Sequence, residues 1–251
     1  MSFQLNSAVL LIAMGVAVPV FADEADKTIR AAFERSFPGV RIDAISPSRV
    51  TGLYEVNIGA STAYATQDGK YVFMGDLLDM TSNTNLTEAK RTASRKQLID
   101  AVGEKNMIVM APKQVKHTVT VFTDIDCGYC RKLHQDVPAL NKEGVKVRYL
   151  AFPRSGPGTE SFRKYENVWC AKDRVKAVTS AKAGDTIEAK TCANPIQSQY
   201  DLGQRVGVEG TPAIVLESGE MLPGYLPPAK LLEAITMSES RQATRANTTA
   251  R

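Results

Sequence analysis

The sequence predicts two domains of mixed helix and strand, a small α+β unit followed by a larger α/β unit, with a helix between them. Three observations lead to this fold class. A helical apolar stripe and then alternating runs fill residues 24–74, a polar helix-like stretch fills 85–102, and strands alternate with helices from residue 116 onward. The 229 residues from Asp23 onward suffice for two modest domains at about 100–200 residues each, or for one large domain.

The first 22 residues have the pattern of a secretory signal peptide. An apolar run extends from Ala8 to Phe21, and Val20 and Ala22 place small residues three and one positions before Asp23. We therefore expect cleavage near Ala22 and export of the mature chain. No Lys or Arg precedes the run, which is atypical of a signal, and an uncleaved N-terminal anchor is the alternative interpretation.

A helix followed by an antiparallel meander is predicted for the first domain. Residues 24–36 are predicted to be helical, and Pro-Gly at 38–39 ends the helix. Its apolar positions recur every four residues: Ala25, Ile29, Phe33 and Phe37. Side chains then alternate over 52–58, 62–66 and 70–74, which predicts three strands. A unit this small buries little surface and leaves edge strands unpaired, so we expect association through such an edge.

A polar helix is predicted between the two domains. Asn85 and Glu88 have the spacing of an N-terminal capping pair, the stretch through Val102 is rich in Ala, Lys, Arg and Gln, and Gly103 ends it. Its apolar stripe is thin, which fits a connector better than a core helix. A surface helix of one larger domain is the alternative interpretation.

Strands and helices alternate in the second domain. A strand over 119–123, a helix after residue 127 and a strand over 145–152 form a strand–helix–strand unit. Residues 158–204 are mostly helical in composition. An α/β unit with a helical insertion follows from this order.

The end of the chain is predicted to hold a hairpin, a last helix and a tail. Residues 211–216 and 220–222 are two strands around a Ser-Gly turn, and 227–237 is the final helix. Residues 239–251 lose all periodicity and are predicted to be disordered. The net charge of +4 is slight for this length and gives no argument for binding nucleic acid.

A CGYC motif at residues 127–130 stands where an apolar strand gives way to a helix. The start of a helix offers unpaired N–H groups and the positive end of the helix dipole, and both favour a thiolate at Cys127. Two intervening residues let Cys130 turn back within bonding reach, so the pair can cycle between dithiol and disulfide. The motif predicts a redox pair with Cys127 as the attacking sulfur.

Zinc binding is the alternative for a CxxC motif, because the same spacing supplies half of many zinc sites. A zinc site needs two more ligands. Cys170 and Cys192 are separated by 21 residues and lack a CxxC partner, and the histidines of the chain are His117 and His134. We therefore predict redox chemistry without a metal or cofactor.

The remaining two cysteines are predicted to pair with each other. Four cysteines form an even set, and an oxidising compartment favours pairing. A structural disulfide between Cys170 and Cys192 would close a loop that stabilises the fold by about 3 kcal/mol.

Short motifs across the second domain point to a known family. They are Asp124-Ile-Asp-Cys-Gly-Tyr-Cys130, Arg148-Tyr-Leu-Ala-Phe-Pro153, Trp169-Cys-Ala-Lys-Asp173, Gly210-Thr-Pro-Ala213 and Pro223-Gly-Tyr225. Together they resemble the DsbC family of bacterial periplasmic disulfide isomerases. The resemblance is specific from about residue 85 to 237, and residues 23–82 have the size and pattern of the N-terminal domain of that family.

The resemblance implies an α+β N-terminal dimerisation domain joined by a linker helix to an α/β thioredoxin-like catalytic domain with a helical insertion. It also implies a V-shaped homodimer whose apolar cleft holds partly unfolded substrate, in the periplasm of a Gram-negative bacterium. The implied divisions are a signal peptide at 1–22, the dimerisation domain at 23–82, the linker helix at 83–103, the catalytic domain at 104–238 and the tail at 239–251.

The same resemblance assigns roles around the redox pair. Thr211 and Pro212 match the Thr and cis-proline of the family, whose turn can hold a substrate strand beside Cys127. Tyr129 is expected to contact substrate, the alternative being simple exposure between the cysteines. The implied substrates are misoxidised exported proteins, and the implied electron donor is a membrane-embedded thiol reductase.

Charged residues flank the redox pair. Asp124 and Asp126 oppose a thiolate at Cys127, whereas Arg131 and the helix start favour it, and we expect the favourable contributions to win. Asp126 departs from the family, which more often has an uncharged residue at this position. His134 is interpreted as structural or surface-exposed, because thiol exchange needs a low thiol pKa more than a dedicated base.

These observations favour a dimeric disulfide isomerase with some chaperone capacity. The alternative with the same fold is a periplasmic thiol reductase that rescues sulfenylated single cysteines, and Gly-Tyr between the two cysteines favours the isomerase. A strong monomeric oxidant would lack the first domain. From a different class, the alternative is a non-enzymatic binding module whose CxxC holds a metal or a permanent disulfide.

Overall fold

The computed structural model describes residues 20–249, with side chains from 24 to 244. The predicted signal peptide therefore lies almost entirely outside the described residues. The helices are α1 (Val20–Ser36), α2 (Leu86–Asp100), α3 (Gly128–Lys142), α4 (Glu160–Cys170), α5 (Arg174–Ala183), α6 (Ile196–Arg205) and α7 (Pro228–Thr249), with a 3-10 turn at Glu104–Asn106. The strands are β1 (Ala44–Pro47), β2 (Leu53–Ile58), β3 (Ser61–Thr66), β4 (Val72–Phe73), β5 (Leu78–Asp79), β6 (Thr84–Asn85), β7 (Ile108–Met110), β8 (His117–Thr123), β9 (Val145–Ala151), β10 (Ala213–Leu216) and β11 (Met221–Pro223).

The first domain is an antiparallel sheet in the order β1-β2-β3-β4, with α1 packed on one face. The predicted apolar stripe of the helix is buried, since Ile29 and Phe33 are at most 2% exposed and cluster with Val56 and Ala65. Strand β4 forms one edge of this sheet. A helix and a meander thus share one small core, as the alternating pattern predicts.

Helix α2 begins at the predicted cap, where the Asn85 side chain accepts a hydrogen bond of 2.8 Å from the backbone N–H of Glu88. One face of the helix packs on the second domain. Arg95 is 5% exposed and donates from Nε to the Val206 carbonyl (3.1 Å) and from Nη1 to the Gly219 carbonyl (2.8 Å). The connecting helix is therefore fixed to the second domain through buried hydrogen bonds as well as through the chain.

The second domain is a five-stranded sheet in the order β11-β10-β8-β9-β7. Strands β8 and β9 are parallel and joined by α3, and the other pairs are antiparallel. Helices α4, α5 and α6 are inserted between β9 and β10. Helix α6 lies so close to the sheet that a Cβ at Gly203 would lie 2.3 Å from the Phe152 ring, so only glycine fits. The predicted α+β and α/β fold class is confirmed.

The structure differs from the sequence prediction in its shortest strands and in the tail. Strands β1, β5, β6 and β7 lie where no strand is predicted. The segment predicted to be disordered, 239–251, continues α7 as far as Thr249. Glu239 lies 2.7 Å from His117 and Arg241 lies 2.6 Å from Glu220, so ion pairs and hydrogen bonds hold the start of this extension against the second domain. Within residues 20–249, none of the helices combines the length and apolar character needed to cross a membrane.

Candidate active site at the start of helix α3

The CGYC motif lies where β8 ends and α3 begins. Strand β8 ends at Thr123, a short loop follows, and Cys127 is the N-cap residue of α3 with extended backbone angles. Both thiols are free, with Cys127 4% exposed and Cys130 fully buried. The first sulfur thus lies at the positive end of a helix, and the second lies one turn further in.

Cys127 faces the turn that contains Thr211 and Pro212. The peptide bond between these two residues is cis, and the Cys127 thiol donates to the Thr211 carbonyl at 3.3 Å. Within the part of the chain that the structure describes, the buried Thr211 hydroxyl has no hydrogen-bond partner, so it is available to donate to a thiolate at Cys127. Burial opposes ionisation of Cys127, but hydrogen bonds that the Thr211 side chain and Cys130 donate to the thiolate, together with the charge of Arg154, outweigh it and lower the pKa of the thiol.

The pKa of Cys130 shifts in the opposite direction. Burial raises the pKa of its thiol, and the charge of Lys182, the backbone N–H of Asp124 and the Thr123 hydroxyl offset this only in part. The Asp124 N–H donates to the Cys130 sulfur at 3.4 Å. The two cysteines, one helical turn apart, therefore differ in protonation: Cys127 favours the nucleophilic thiolate, whereas Cys130 favours the thiol.

Asp124 is a buried carboxylate whose charge is compensated locally. Its oxygens accept hydrogen bonds from the Asp126 N–H (2.9 Å), the Ser161 hydroxyl (3.0 Å) and both the guanidinium and backbone N–H of Arg154 (2.9 and 3.1 Å). Burial acts to raise the pKa of Asp124, but these donors outweigh it and hold the pKa below its usual value. Because Arg154 neutralises it, Asp124 opposes the Cys127 thiolate less than its position in the sequence predicts.

Asp126 is also paired, but at the surface. Its Oδ1 lies 3.0 Å from Lys164 Nζ and 3.5 Å from Arg131 Nη2. Arg131 also donates to the Ile125 carbonyl at 3.0 Å. Cations therefore accompany the negative charge of Asp126, which reduces its opposition to a thiolate at Cys127.

An exposed aromatic surface lies beside the redox pair. Tyr129 is 65% exposed and stacks on Tyr225 with ring centroids 6.3 Å apart. The Lys132 ammonium lies 4.7 Å from the centre of the Tyr225 ring, and Tyr225 donates to Asp136 at 2.7 Å. Two rings fixed side by side next to a nucleophilic sulfur form a surface suited to apolar polypeptide.

The side chains described by the structure contain no group of three or more His, Cys, Asp or Glu residues that could hold a metal ion. The geometry at the start of α3 instead brings together a low-pKa thiol, a buried thiol and a cis-proline turn. This arrangement can attack a disulfide and then close one of its own.

Proteins named thiol:disulfide interchange protein DsbC are similar to this chain along most of its length. The Escherichia coli K12 protein is 37% identical over 226 residues, which cover 89% of this chain and 93% of the relative. This chain belongs to the DsbC family. The Haemophilus influenzae protein is 38% identical over 209 residues, covering 82% and 89% respectively. The resemblance inferred from the short motifs is confirmed.

Both domains of this DsbC family member match known domain families. A disulfide bond isomerase protein N-terminal domain matches residues 20–88, and a thioredoxin-like domain matches residues 104–237. The crystal structure of a disulfide interchange protein from Neisseria gonorrhoeae superposes with a TM-score of 0.50 at 29% identity. That likeness covers 54% of this chain and 97% of the other.

Cys170 and Cys192 are joined by a disulfide, with their Cα atoms 5.7 Å apart. The bond ties the end of α4 to the segment that leads into α6. Trp169 is 5% exposed, and the Arg174 guanidinium lies 3.7 Å from the centre of its ring. The bond lies among the packed helices of the insertion, which fits a structural role.

His134 is held as a neutral imidazole inside the DsbC fold. The Thr179 hydroxyl already donates to the Val175 carbonyl, so it accepts from His134 Nε2 (3.0 Å), and Nδ1 accepts from the Tyr149 hydroxyl (3.1 Å). Burial, aided by the charge of Lys182, lowers the pKa of His134 to about 4. These contacts support the structural interpretation of this histidine.

Three residues that lie around the redox pair do not stand out in the sequence. Arg154 follows β9, Ser161 lies on α4 and Lys182 lies on α5, so all three are distant from the CGYC motif in sequence. A signal exists for Lys182, because it lies four residues after the buried Val178 and so on the apolar face of its helix. No comparable pattern marks Arg154 or Ser161.

Proposed function

We propose that this chain is a thiol:disulfide isomerase that reshuffles incorrect disulfides in exported proteins. The observation that carries the proposal is the opposite pKa shift of Cys127 and Cys130 at a helix start that faces a cis-proline turn. Membership of the DsbC family, whose members are named thiol:disulfide interchange proteins, supports it. Cys127 and Cys130 are the proposed catalytic residues.

The first step is attack of the Cys127 thiolate on a substrate disulfide. A bond forms between Cys127 and one substrate sulfur, the substrate S–S bond breaks, and the second substrate sulfur leaves as a thiolate that takes a proton from water. The turn at Thr211 and Pro212 offers backbone groups to the bound strand, and Tyr129 contacts it. These are the proposed substrate-binding residues.

Two exits then compete for the mixed disulfide. If another substrate thiolate attacks it, the substrate is reshuffled and Cys127 is released as a thiolate. If Cys130 attacks first, the substrate is reduced by two electrons and the enzyme keeps a disulfide between Cys127 and Cys130. An isomerase must be reduced again after the second exit, and we assign this role to a membrane-embedded thiol reductase in the same compartment.

The proposed location is the periplasm of a Gram-negative bacterium, reached after cleavage of residues 1–22 near Ala22. An apolar run that ends in small residues, together with the disulfide between Cys170 and Cys192, supports an oxidising compartment. We divide the mature chain into a dimerisation domain (23–82), a linker helix (83–103) and a catalytic domain (104–238).

A homodimer is proposed through the β4 edge of the first domain. Large apolar side chains are exposed along 71–80, with Phe73 56%, Met74 70% and Met80 86% accessible. Strand β4 is also an edge of its sheet, so its backbone can pair with a second copy. An apolar, extended edge of this kind is suited to a second copy of the same edge. Two catalytic domains would then share one substrate, which supports chaperone capacity as well.

We expect Phe73→Asp to dissociate the dimer. A buried aromatic anchor contributes about 2 kcal/mol or more to an interface, so the dissociation constant should rise by about 30-fold or more. Sedimentation equilibrium of the purified protein measures this directly. Val115→Asp is the matched control, because Val115 is a 49% exposed valine of the second domain. If the Phe73 variant dissociated no more readily than the control, the β4 edge would not be the interface.

Reactivation of a scrambled ribonuclease in a glutathione buffer tests the proposed function. We expect the wild-type chain to restore ribonuclease activity faster than the buffer alone. If its thiols react with a chromogenic disulfide but the ribonuclease is not reactivated, the function is that of a reductase for single cysteines. If the thiols do not react at all, the chain is a binding module.

A further inference from the structure

A lysine is buried beneath the redox pair. Lys182 on α5 is 4% exposed, and its Nζ donates to the Thr123 hydroxyl (2.8 Å) and to the Asp124 carbonyl (3.1 Å). Its ammonium also lies 5.5 Å from the centre of the Tyr149 ring. Burying a cation is costly, and the mechanism described above gives this one no role.

The contacts of Lys182 lead to one of the two sulfurs. The Thr123 hydroxyl that accepts from Lys182 also lowers the pKa of the Cys130 thiol, as does the charge of Lys182 itself. Asp124 makes a parallel connection, because its carbonyl accepts from Lys182 while its N–H donates to Cys130 at 3.4 Å. The lysine and the buried cysteine are thus joined by two short routes, while the hydrogen bond of Cys127 goes to the Thr211 carbonyl of the cis-proline turn.

We propose that Lys182 is a positioning residue for the second exit: through Thr123 it supplies the positive charge that stabilises the Cys130 thiolate when that sulfur attacks the mixed disulfide. The inference rests on the proposed function, since it concerns a step of that reaction. It assigns to the helical insertion a direct influence on the choice between reshuffling and reduction.

The step balances without any further reactant. Cys130 loses its proton to water, and the resulting thiolate is stabilised by the Thr123 hydroxyl, which itself accepts from the Lys182 ammonium. The electron pair of Cys130 forms the bond to the Cys127 sulfur, and the bond between Cys127 and the substrate sulfur breaks. The substrate sulfur leaves with that electron pair and takes a proton from water. Lys182 keeps its proton throughout.

The charge on Lys182 makes this stabilisation depend on pH. Burial lowers the pKa of Lys182 to about 8, and the opposing charges of Cys130, Asp124 and Cys127 limit the shift. Below that pH the ammonium is present, and above it the positive charge is lost. Because the interaction is mutual, a thiolate at Cys130 must raise the pKa of Lys182. The titratable and charged groups that act on this lysine from the neighbouring elements are Asp124, Cys127, Cys130, Arg131, His134 and Tyr149.

Titration of Cys130 alone provides the first test. The Cys127→Ala variant leaves Cys130 as the free thiol, and its ultraviolet thiolate absorbance is followed against pH. Adding Lys182→Met or Lys182→Gln should raise the midpoint of the Cys130 titration by about one pH unit. This shift corresponds to about tenfold less Cys130 thiolate at neutral pH. The glutamine can still hydrogen-bond Thr123, so it separates charge from packing. Lys176→Met is the matched control, because Lys176 is an exposed lysine on the same helix and should leave the midpoint unchanged.

The rate of the second exit provides the next test. With both cysteines present, a mixed disulfide formed with a small disulfide reagent should resolve about tenfold more slowly in the two Lys182 variants at neutral pH. Its rate profile should also lose the inflection near pH 8 that the lysine gives to the wild type. Lysine ε-carbon NMR of the wild-type protein needs no substitution, and Lys182 should titrate at higher pH in the reduced form than in the oxidised form.

The inference would be overturned if the midpoint of the Cys130 thiol titration were the same with Lys182 present and in both Lys182 variants. It would also be overturned if Lys182 titrated at the same pH in the reduced and oxidised forms. If both variants fail to fold, the NMR comparison decides. The thiol titrations do not require isomerase activity, so failure of the ribonuclease assay would remove the proposed function without affecting this result.

Discussion

Replacing Cys127 with serine should abolish the acceleration of ribonuclease reactivation, so that scrambled ribonuclease recovers only at the rate of the buffer alone. The Cys127 thiol has a lowered pKa and faces the proposed substrate-binding turn at Thr211 and Pro212, whereas a serine hydroxyl is not ionised at neutral pH. Cys130→Ser is the matched control, since it makes the same chemical change one turn away. That variant should still form the mixed disulfide and should accumulate it, because the second exit is closed. Non-reducing electrophoresis with a disulfide-bonded substrate reads out the trapped species.

The two variants therefore test the roles proposed for Cys127 and Cys130 separately. If Cys127→Ser retained activity and Cys130→Ser lost it, Cys130 would be the nucleophile and the opposite pKa shifts would have been misinterpreted. If neither variant formed a mixed disulfide, the CGYC motif would have no role in attack. Circular dichroism of both variants excludes loss of the fold as the cause.

Replacing Asp124 with alanine should destabilise the protein by about 3 kcal/mol at neutral pH. The substitution removes the acceptor of four hydrogen bonds and leaves the Arg154 guanidinium without its carboxylate partner. It also removes a negative charge near the buried Lys182 ammonium, whose hydrogen bond to the backbone carbonyl of residue 124 remains. Urea unfolding gives the free energy directly. Asp126→Ala is the matched control, because its ion pairs are at the surface and contribute about 1 kcal/mol or less.

The effect of Asp124 should also depend on pH in a defined direction. Its folded pKa lies below the usual value of 3.8, so its stabilisation is fully present above that value and is lost as the pH falls through the folded pKa. The stabilities of wild type and Asp124→Ala should therefore converge in acid. A constant difference down to pH 2 would show that packing, and not the carboxylate charge, accounts for the loss.

The longer elements of the fold could be predicted because each carries its own pattern. The buried stripe of α1 and the apolar strand β8 repeat over enough residues to reveal their periods. Strands β5 and β6 have two residues each and β7 has three, which is too short for a period, and each exists because a partner strand is present. The helix beyond residue 238 has no apolar stripe to predict it, and its start is held by Glu239 and Arg241 against the second domain.

Cys127 and Cys130 could be proposed as the redox pair from the sequence alone because a helix start imposes its chemistry locally: two cysteines, their spacing and the preceding strand are all contiguous. The sequence also indicated the family, through motifs whose spacing along the chain is fixed. Only the tertiary structure brought Lys182 to Thr123, 59 residues away, and Arg154 to Asp124, 30 residues away. Charge compensation inside a protein acts over a few ångströms in a medium of low dielectric constant, so it depends on which helices pack together and leaves no periodic trace in the chain.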